Sequence, residues 1–139
     1  MGQIFTMYHG TTVSAAERII RNGFRQSADG MLGRGVYVSR DRYKAARYPL
    51  GENYEQVILK LRVRVGKVKR VDYKGHPLQK TWHERGYNTA WVPKNCGMVK
   101  SGSEENCVWD PKRIKVIGVV KAPPGSLQHL QQLLSHYRR

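Results

Sequence analysis

The feature that most constrains the fold is an alternation of apolar and basic residues after position 56. Apolar residues fill every second position, and most residues between them are basic, in the order Val57, Ile58, Leu59, Lys60, Leu61, Arg62, Val63, Arg64 and Val65. Because successive side chains of a β-strand point to opposite faces, this run predicts a strand with one buried face and one basic face. Gly66 is expected to interrupt the strand with a bulge or a bend.

The remaining sequence predicts short strands and short helices. Further strands are expected at residues 4–8, 36–38, 105–109 and 113–121, where β-branched and aromatic residues are frequent. Helices are expected at residues 15–22, 44–48 and 80–85 and from residue 126 onward, with residues 72–104 otherwise in loops. A chain of 139 residues without repeats or linkers predicts one α+β domain over residues 1–139, with split antiparallel sheets and a C-terminal helix at 126–139.

Both α-helices near the chain ends carry boundary signals. Ser14 and Glu17 form a capping-box pattern, which places Ser14 at the N-cap, and Gly23 is a natural residue to follow the helix. Ser126 is expected to cap the last helix, which would present one apolar face made of Leu127, Leu130, Leu134 and Tyr137.

The charge of the chain is strongly positive. It has 25 Lys and Arg against 10 Asp and Glu, a formal net charge of +15, which favours an anionic partner such as nucleic acid, an anionic lipid or a small anion. No apolar run approaches the roughly 20 residues of a membrane span, and the first residues do not resemble a signal peptide. Cys96 and Cys107 are too few for a disulfide framework or a zinc site. We therefore expect no membrane association, no metal, and an intracellular location in the cytoplasm, with the nucleus as the alternative.

Three motifs are candidates for chemistry. Residues 8–11 read Tyr-His-Gly-Thr at the end of a predicted strand, where a ligand can approach the backbone of the glycine. Residues 30–35 are glycine-rich, but a strand follows them where a dinucleotide fingerprint needs a helix, and no Lys-Ser/Thr pair of a P-loop is present. Glu104 and Glu105 open a strand, and a carboxylate there could stabilise positive charge developing on a sugar ring.

Each motif taken singly also has a structural explanation. A histidine beside a glycine is more often structural, a glycine-rich stretch more often forms a tight turn, and adjacent glutamates are more often a solvated pair. In combination and in this order, the motifs resemble the catalytic domain of the poly(ADP-ribose) polymerase (PARP) family, the ADP-ribosyltransferases with a His-Tyr-Glu triad. Residues 8–11, 30–39 and 105–110 resemble its first, second and third motifs, and the resemblance runs from about residue 4 to residue 120.

The resemblance implies an activity and a set of site residues. The implied activity is NAD-dependent ADP-ribosyl transfer to a protein or nucleic-acid acceptor after cleavage of the nicotinamide–ribose bond. The glutamate permits polymer synthesis, but transfer of single units is expected because the acceptor region is small and matches the family poorly. The implied catalytic residues are His9, Tyr37 and Glu105, and the implied NAD-binding residues are His9, Gly10, Thr11, Gly35, Tyr37, Ala45 and Tyr48.

The resemblance also implies individual roles. His9 would hydrogen-bond the adenosine ribose, and the backbone of Gly10 would hold the nicotinamide carboxamide. Tyr37 and Tyr48 would stack on the two faces of the nicotinamide ring. Glu105 would accept a hydrogen bond from the nicotinamide-ribose 2′-hydroxyl and stabilise the cation formed as nicotinamide leaves. Glu104 takes this place if the strand register differs by one residue.

Some residues depart from the family pattern. Ala45 stands where the family usually has a serine that binds the nicotinamide carbonyl, and the stretch between Phe24 and Gly30 is short. These departures motivate a second hypothesis, a module without turnover that binds NAD, ADP-ribose or RNA. The stretch at residues 86–93 is similar to one in the small virus-induced PARP-like proteins of fish, which implies a role in the antiviral response.

A basic strip offers a possible surface for nucleic acid. Its residues are Lys60, Arg62, Arg64, Lys67, Lys69 and Arg70, and Trp82, Tyr87 and Trp91 could add stacking surfaces. The alternative is that the basic side chains only form the solvated face of a strand. The oligomeric state is not indicated by the sequence.

Overall fold

Two β-sheets and two α-helices form the part of the chain that the computed structural model describes, residues 3–42 and 56–137. The strands are β1 (Ile4–Thr11), β2 (Val36–Val38), β3 (Val57–Arg64), β4 (Val68–Arg70), β5 (Thr89–Val92), β6 (Glu105–Val108) and β7 (Ile114–Lys121). The helices are α1 (Val13–Asn22) and α2 (Ser126–Tyr137), and short 3-10 turns lie at His83–Arg85 and Pro111–Arg113. The α+β class is confirmed. The helix predicted at residues 44–48 lies outside the described residues.

The first sheet is antiparallel and has β3 at its centre, between β1 and β7. The alternation predicted for β3 is confirmed, because Leu59, Leu61 and Val63 are fully buried while Lys60, Arg62 and Arg64 are exposed. The buried face packs against residues of both helices, including Ile19 and Leu130, in the main hydrophobic core.

The second sheet has the strand order β2-β6-β5-β4 and is mixed. The expectation of purely antiparallel sheets is wrong at one pair, because β4 runs parallel to β5. Gly66, with φ 64°, bends the chain after β3 so that β4 enters the other sheet, and the long connection before β5 returns the chain to run in the same direction. Strand β5 lies in the segment that was predicted as loop. The prediction missed it because its four residues are mostly buried and show no alternation of apolar and polar side chains.

The basic strip predicted from the sequence is divided between the two sheets. Lys60, Arg62 and Arg64 lie on β3 in the first sheet, whereas the other three basic residues lie at or in β4 in the second. Trp82 is not a stacking surface, since it is 1% exposed and donates its indole N–H to the carbonyl of Leu32 at 2.8 Å. It belongs to a second core on the far side of the second sheet, with Val92 and Cys107.

The boundaries of the helices agree only in part with the sequence signals. Helix α1 begins two residues early, at an N-cap on Thr12, whose hydroxyl accepts the N–H of Ala15 at 3.1 Å, so the capping box on Ser14 is wrong. Gly23 ends α1 as predicted, with φ 87° and its N–H on the carbonyl of Ile19 at 2.8 Å. In α2, Leu130 and Leu134 are buried, but Leu127 is 37% exposed. Neither α1 nor α2 is long and apolar enough to cross a membrane.

The position of the α1 cap leads to a prediction on stability. Thr12→Ala removes a hydrogen bond to an otherwise unpaired helix N–H, so we expect the free energy of unfolding to fall by about 1 kcal/mol. Ser14→Ala, the matched control on the exposed first turn, should change it far less. Denaturant unfolding of both variants measures the difference, and a larger loss for Ser14→Ala would mean that the cap lies on Ser14.

Candidate active site

A cleft of about 470 Å³ opens beside the last residues of β1. It is lined by the end of β1, by α1 and the residues that follow it, by the glycine-rich loop, by β2 and by the start of β6. The residues predicted for the site that line the cleft are His9, Gly10, Thr11, Tyr37 and Glu105. His9 and Glu105 thus face one cavity although they are 96 positions apart in the sequence.

His9 is held in one orientation by neighbours in two elements. Its Nδ1 atom lies 2.9 Å from the carbonyl oxygen of Tyr37, and its ring meets the ring of Phe24 edge-on at 5.1 Å. Because a carbonyl oxygen can only accept a hydrogen bond, Nδ1 carries the proton and Nε2 of the neutral ring is an acceptor. Burial lowers the pKa of His9 below its usual range, although the bond to Tyr37 opposes this, so the ring is neutral at neutral pH.

Tyr37 projects from β2 with its hydroxyl group already engaged. The hydroxyl accepts the N–H of Leu32 at 3.0 Å and donates to the carbonyl of Gly33 in a short hydrogen bond. A side chain at Gly30 would meet the tyrosine ring, since a Cβ there would lie 2.6 Å from its Cζ atom. Burial, reinforced by Cys107, raises the pKa of Tyr37 well above its usual range. The residue is therefore a fixed aromatic wall of the cleft and not a proton acceptor.

Glu104 is buried on the side of β6 that faces away from the cleft. Its carboxylate accepts bonds from the Arg40 guanidinium at 2.6 and 2.9 Å and from the Arg40 backbone N–H at 2.7 Å. The side chains of Trp91 and Asn106 donate to it at 3.2 and 2.9 Å. Burial opposes ionisation, but the Arg40 hydrogen bonds outweigh it and hold the pKa of Glu104 below its usual range. Glu104 is thus a structural carboxylate with its acceptor sites occupied.

Glu105 points to the opposite side, because neighbouring residues in a strand alternate. It lines the cleft together with His9 and Tyr37. Its negative charge contributes to the raised pKa of both Tyr37 and Cys107, which places it close to both side chains. Burial is the main cause that raises the pKa of Cys107 to about 12, so this thiol stays protonated at neutral pH.

Two arginines at the cleft were not predicted from the sequence. Arg18 lies on the same face of α1 as Ala15 and Ile19, and Arg25 follows the helix; all four residues line the cleft. The spacing of residues 15, 18 and 19 places them on one side of a helix, which was the signal available in the sequence. Together the two arginines give this side of the cleft a positive potential that attracts anions.

The comparison with protein families agrees with this geometry. The family model described as Poly(ADP-ribose) polymerase catalytic domain matches residues 2–112. The chain belongs to the PARP family. Catalytic domains of this family are NAD-dependent ADP-ribosyltransferases, and the matched range contains the three residues predicted as the triad, His9, Tyr37 and Glu105. A comparison with curated proteins gave no significant match.

One described residue implied for NAD binding, Gly35, does not line the cleft of this PARP domain. It packs against β6 instead, where a Cβ would lie 2.4 Å from the sulfur of Cys107. Its φ of 152° also favours glycine, so its role is to allow close packing of the chain. Ala45 and Tyr48 lie outside the described residues.

The two adjacent glutamates should differ in their effect on stability. Glu104→Gln removes a charge on which three donor side chains converge, so we expect the free energy of unfolding to fall by about 2 kcal/mol. Solvent screening of Arg40, which is 44% exposed, keeps the loss from being larger. Glu105→Gln is the matched control and should cost clearly less. Equal losses in denaturant unfolding would contradict the assignment of Glu104 as the structural residue.

The lowered pKa of His9 predicts a pH dependence of stability. Below about pH 6.5 the unfolded chain takes up a proton that folded His9 resists, so stability should fall as the pH drops from 6.5 through the folded pKa. His9→Gln, which cannot titrate, should lose less stability between pH 7 and pH 5 than the wild type. His136→Gln, at an exposed histidine of α2, is the control and should behave like the wild type. Thermal unfolding across this range measures all three proteins.

Proposed function

We propose that this protein transfers single ADP-ribose units from NAD to a protein or nucleic-acid acceptor and releases nicotinamide. The observation that carries the proposal is the convergence of His9, Tyr37 and Glu105 on one cleft of a PARP domain. Transfer of single units, rather than polymer synthesis, is supported by the segment at residues 66–103, which resembles the family least and to which the resemblance assigns acceptor recognition.

The lining of the cleft supports binding of NAD. Its volume of about 470 Å³ is within the usual range for small-molecule sites. Arg18 and Arg25 supply positive charge for the diphosphate, and the free Nε2 atom of His9 is an acceptor for a ribose hydroxyl. The Tyr37 ring offers an apolar face to the nicotinamide, and Gly10 leaves its backbone open to the carboxamide. Tyr48 is proposed for the second face of the ring on the resemblance alone.

The chemistry proposed for Glu105 is electrostatic. When the nicotinamide–ribose bond breaks, nicotinamide leaves with the electron pair and positive charge develops on the ribose. A carboxylate that accepts a hydrogen bond from the ribose 2′-hydroxyl stabilises this charge more in the transition state than in bound NAD. The acceptor's nucleophilic atom then bonds to the anomeric carbon and loses its proton. Glu105 is proposed for this role because Glu104 is held by Arg40 on the other side of β6.

A binding module without turnover is the second candidate. Ala45 supports it, because it lacks the hydroxyl that usually binds the nicotinamide carbonyl, and one such hydrogen bond contributes about 0.5–1.5 kcal/mol. The likeness of residues 86–93 to the virus-induced proteins of fish supports an antiviral role for either candidate. The transferase and the binding module both predict that the protein binds NAD. Only the transferase predicts released nicotinamide and a labelled acceptor.

Turnover with labelled NAD tests the proposal. The wild-type protein should release nicotinamide and transfer label, and Glu105→Gln should lower the rate by about 100-fold or more while NAD still binds. Glu84→Gln makes the same chemical change on an exposed turn outside the cleft lining and should leave the rate unchanged.

Each outcome of this experiment has a separate meaning. NAD binding by calorimetry without any released nicotinamide from the wild type would support the binding module instead. Full activity of Glu105→Gln would remove the carboxylate from the mechanism. Equal loss in Glu84→Gln would show that the effect is not specific to the cleft.

A further inference from the structure

The outer face of the first sheet carries an uninterrupted row of positive charge. Four residues of the central strand β3 point outward; Ile58 is buried, and Lys60, Arg62 and Arg64 are exposed. The strands β1, β3 and β7 contain no acidic residue. We call the outward side of these three strands the basic face.

The neighbours of this row do not neutralise it. On β1 the residues opposite are Ile4, Thr6 and Tyr8, and on β7 the residue opposite Arg62 is Lys115. No salt bridge between described residues includes Lys60, Arg62 or Arg64, whereas Arg40, Arg70 and Lys80 each have an acidic partner on other surfaces. The side chains of Lys60, Arg62 and Arg64 therefore form a surface of one sign of charge that attracts anions.

We propose that the basic face binds the phosphate backbone of a nucleic-acid duplex. Residues two apart in a strand lie about 6.6 Å from each other, so the row spaces its cations at intervals similar to those of successive phosphates along one strand. A duplex fits better than a single strand, because its outer surface presents phosphates and sugars while single strands are bound through base stacking. Tyr8, the aromatic side chain beside this row, lies under the guanidinium of Arg42 at 5.8 Å.

Lys67 and Lys69, two basic residues at or in β4, serve as a comparison for the basic face. Lys67 and Lys69 lie 4.9 and 5.5 Å from the ring of Tyr87, so their ammonium groups already have an aromatic partner. They belong to the edge of the other sheet. A variant that removes them changes the net charge as much as one that removes Lys60 and Arg62, but it leaves the basic face intact.

The basic face also reaches the candidate active site. Tyr8 is opposite Lys60 and lies at the edge of the cleft. A duplex on the basic face would therefore lie next to the cleft, where it could act as an acceptor; this consequence rests on the proposed function, whereas the binding itself does not.

Fluorescence anisotropy with a labelled RNA duplex of about 16 base pairs tests the binding. The wild type should bind, and its affinity should fall as salt rises from about 50 to 200 mM. Lys60→Gln/Arg62→Gln should weaken binding about tenfold and reduce the slope of log K against log salt by about 2, the value for two lost phosphate contacts. The control, Lys67→Gln/Lys69→Gln, should retain most of the affinity and the slope.

Several results would overturn the proposal. Equal loss in both double variants would mean that only the net charge acts, and preference for a single strand of the same sequence would point to another surface. Binding of polyglutamate in place of the duplex would identify an acidic protein as the partner. Without nucleic acid, the unfolding temperature of Lys60→Gln/Arg62→Gln should equal or exceed that of the wild type, and a large decrease would show that the row is structural. Lack of NAD turnover would leave all these binding results unaffected.

Discussion

The buried carboxylate of Glu104 is the constraint on which the geometry of the candidate site depends. It joins Arg40, the second residue after β2, to β5 through Trp91 and to β6 through Asn106. A one-residue slip of β6 would exchange the faces of every side chain in the strand, so it would place Glu104 in the cleft and Glu105 in the core. The network disfavours this slip, because Cys107 would then take the place of Asn106, whose amide donates to the buried carboxylate at 2.9 Å. The structural glutamate thereby sets the direction of its neighbour.

Contacts between the two sheets also hold the candidate site together. The backbones of Tyr8 and Ser39 exchange hydrogen bonds of 2.7 and 3.1 Å, and next to them His9 is bound to the carbonyl of Tyr37. The glycine-rich loop contributes by packing on the Tyr37 ring and satisfying its hydroxyl. These main-chain hydrogen bonds therefore fix the distance between β1 and β2. Side-chain flexibility has little influence on that distance. A pre-formed site of this kind loses little entropy when a ligand binds.

The sequence predicted best the elements whose pattern repeats over many residues. Strand β3 and the end of α1 at Gly23 follow from alternation and from glycine conformation, which are local properties. Strand β5 forms by pairing in parallel with β4, a segment distant in the sequence. The four residues of β5 alone do not indicate which strand they pair with. The cap on Thr12 was missed because two hydroxyl residues compete for one position. The order of the three motifs pointed to the site, but only the contacts of Glu104 distinguish the two glutamates.

Strand β1 contributes alternate residues to two different surfaces of the protein. Met7 and His9 point inward, to the core and the cleft, while Ile4 and Thr6 stand beside the basic row outside; Tyr8, opposite Lys60, also lines the cleft. Because the two sets alternate, substitutions on the outer positions leave the inner contacts in place. Related chains can therefore vary the charge and shape of the outer side of β1 while the inner residues that line the core and the cleft stay the same.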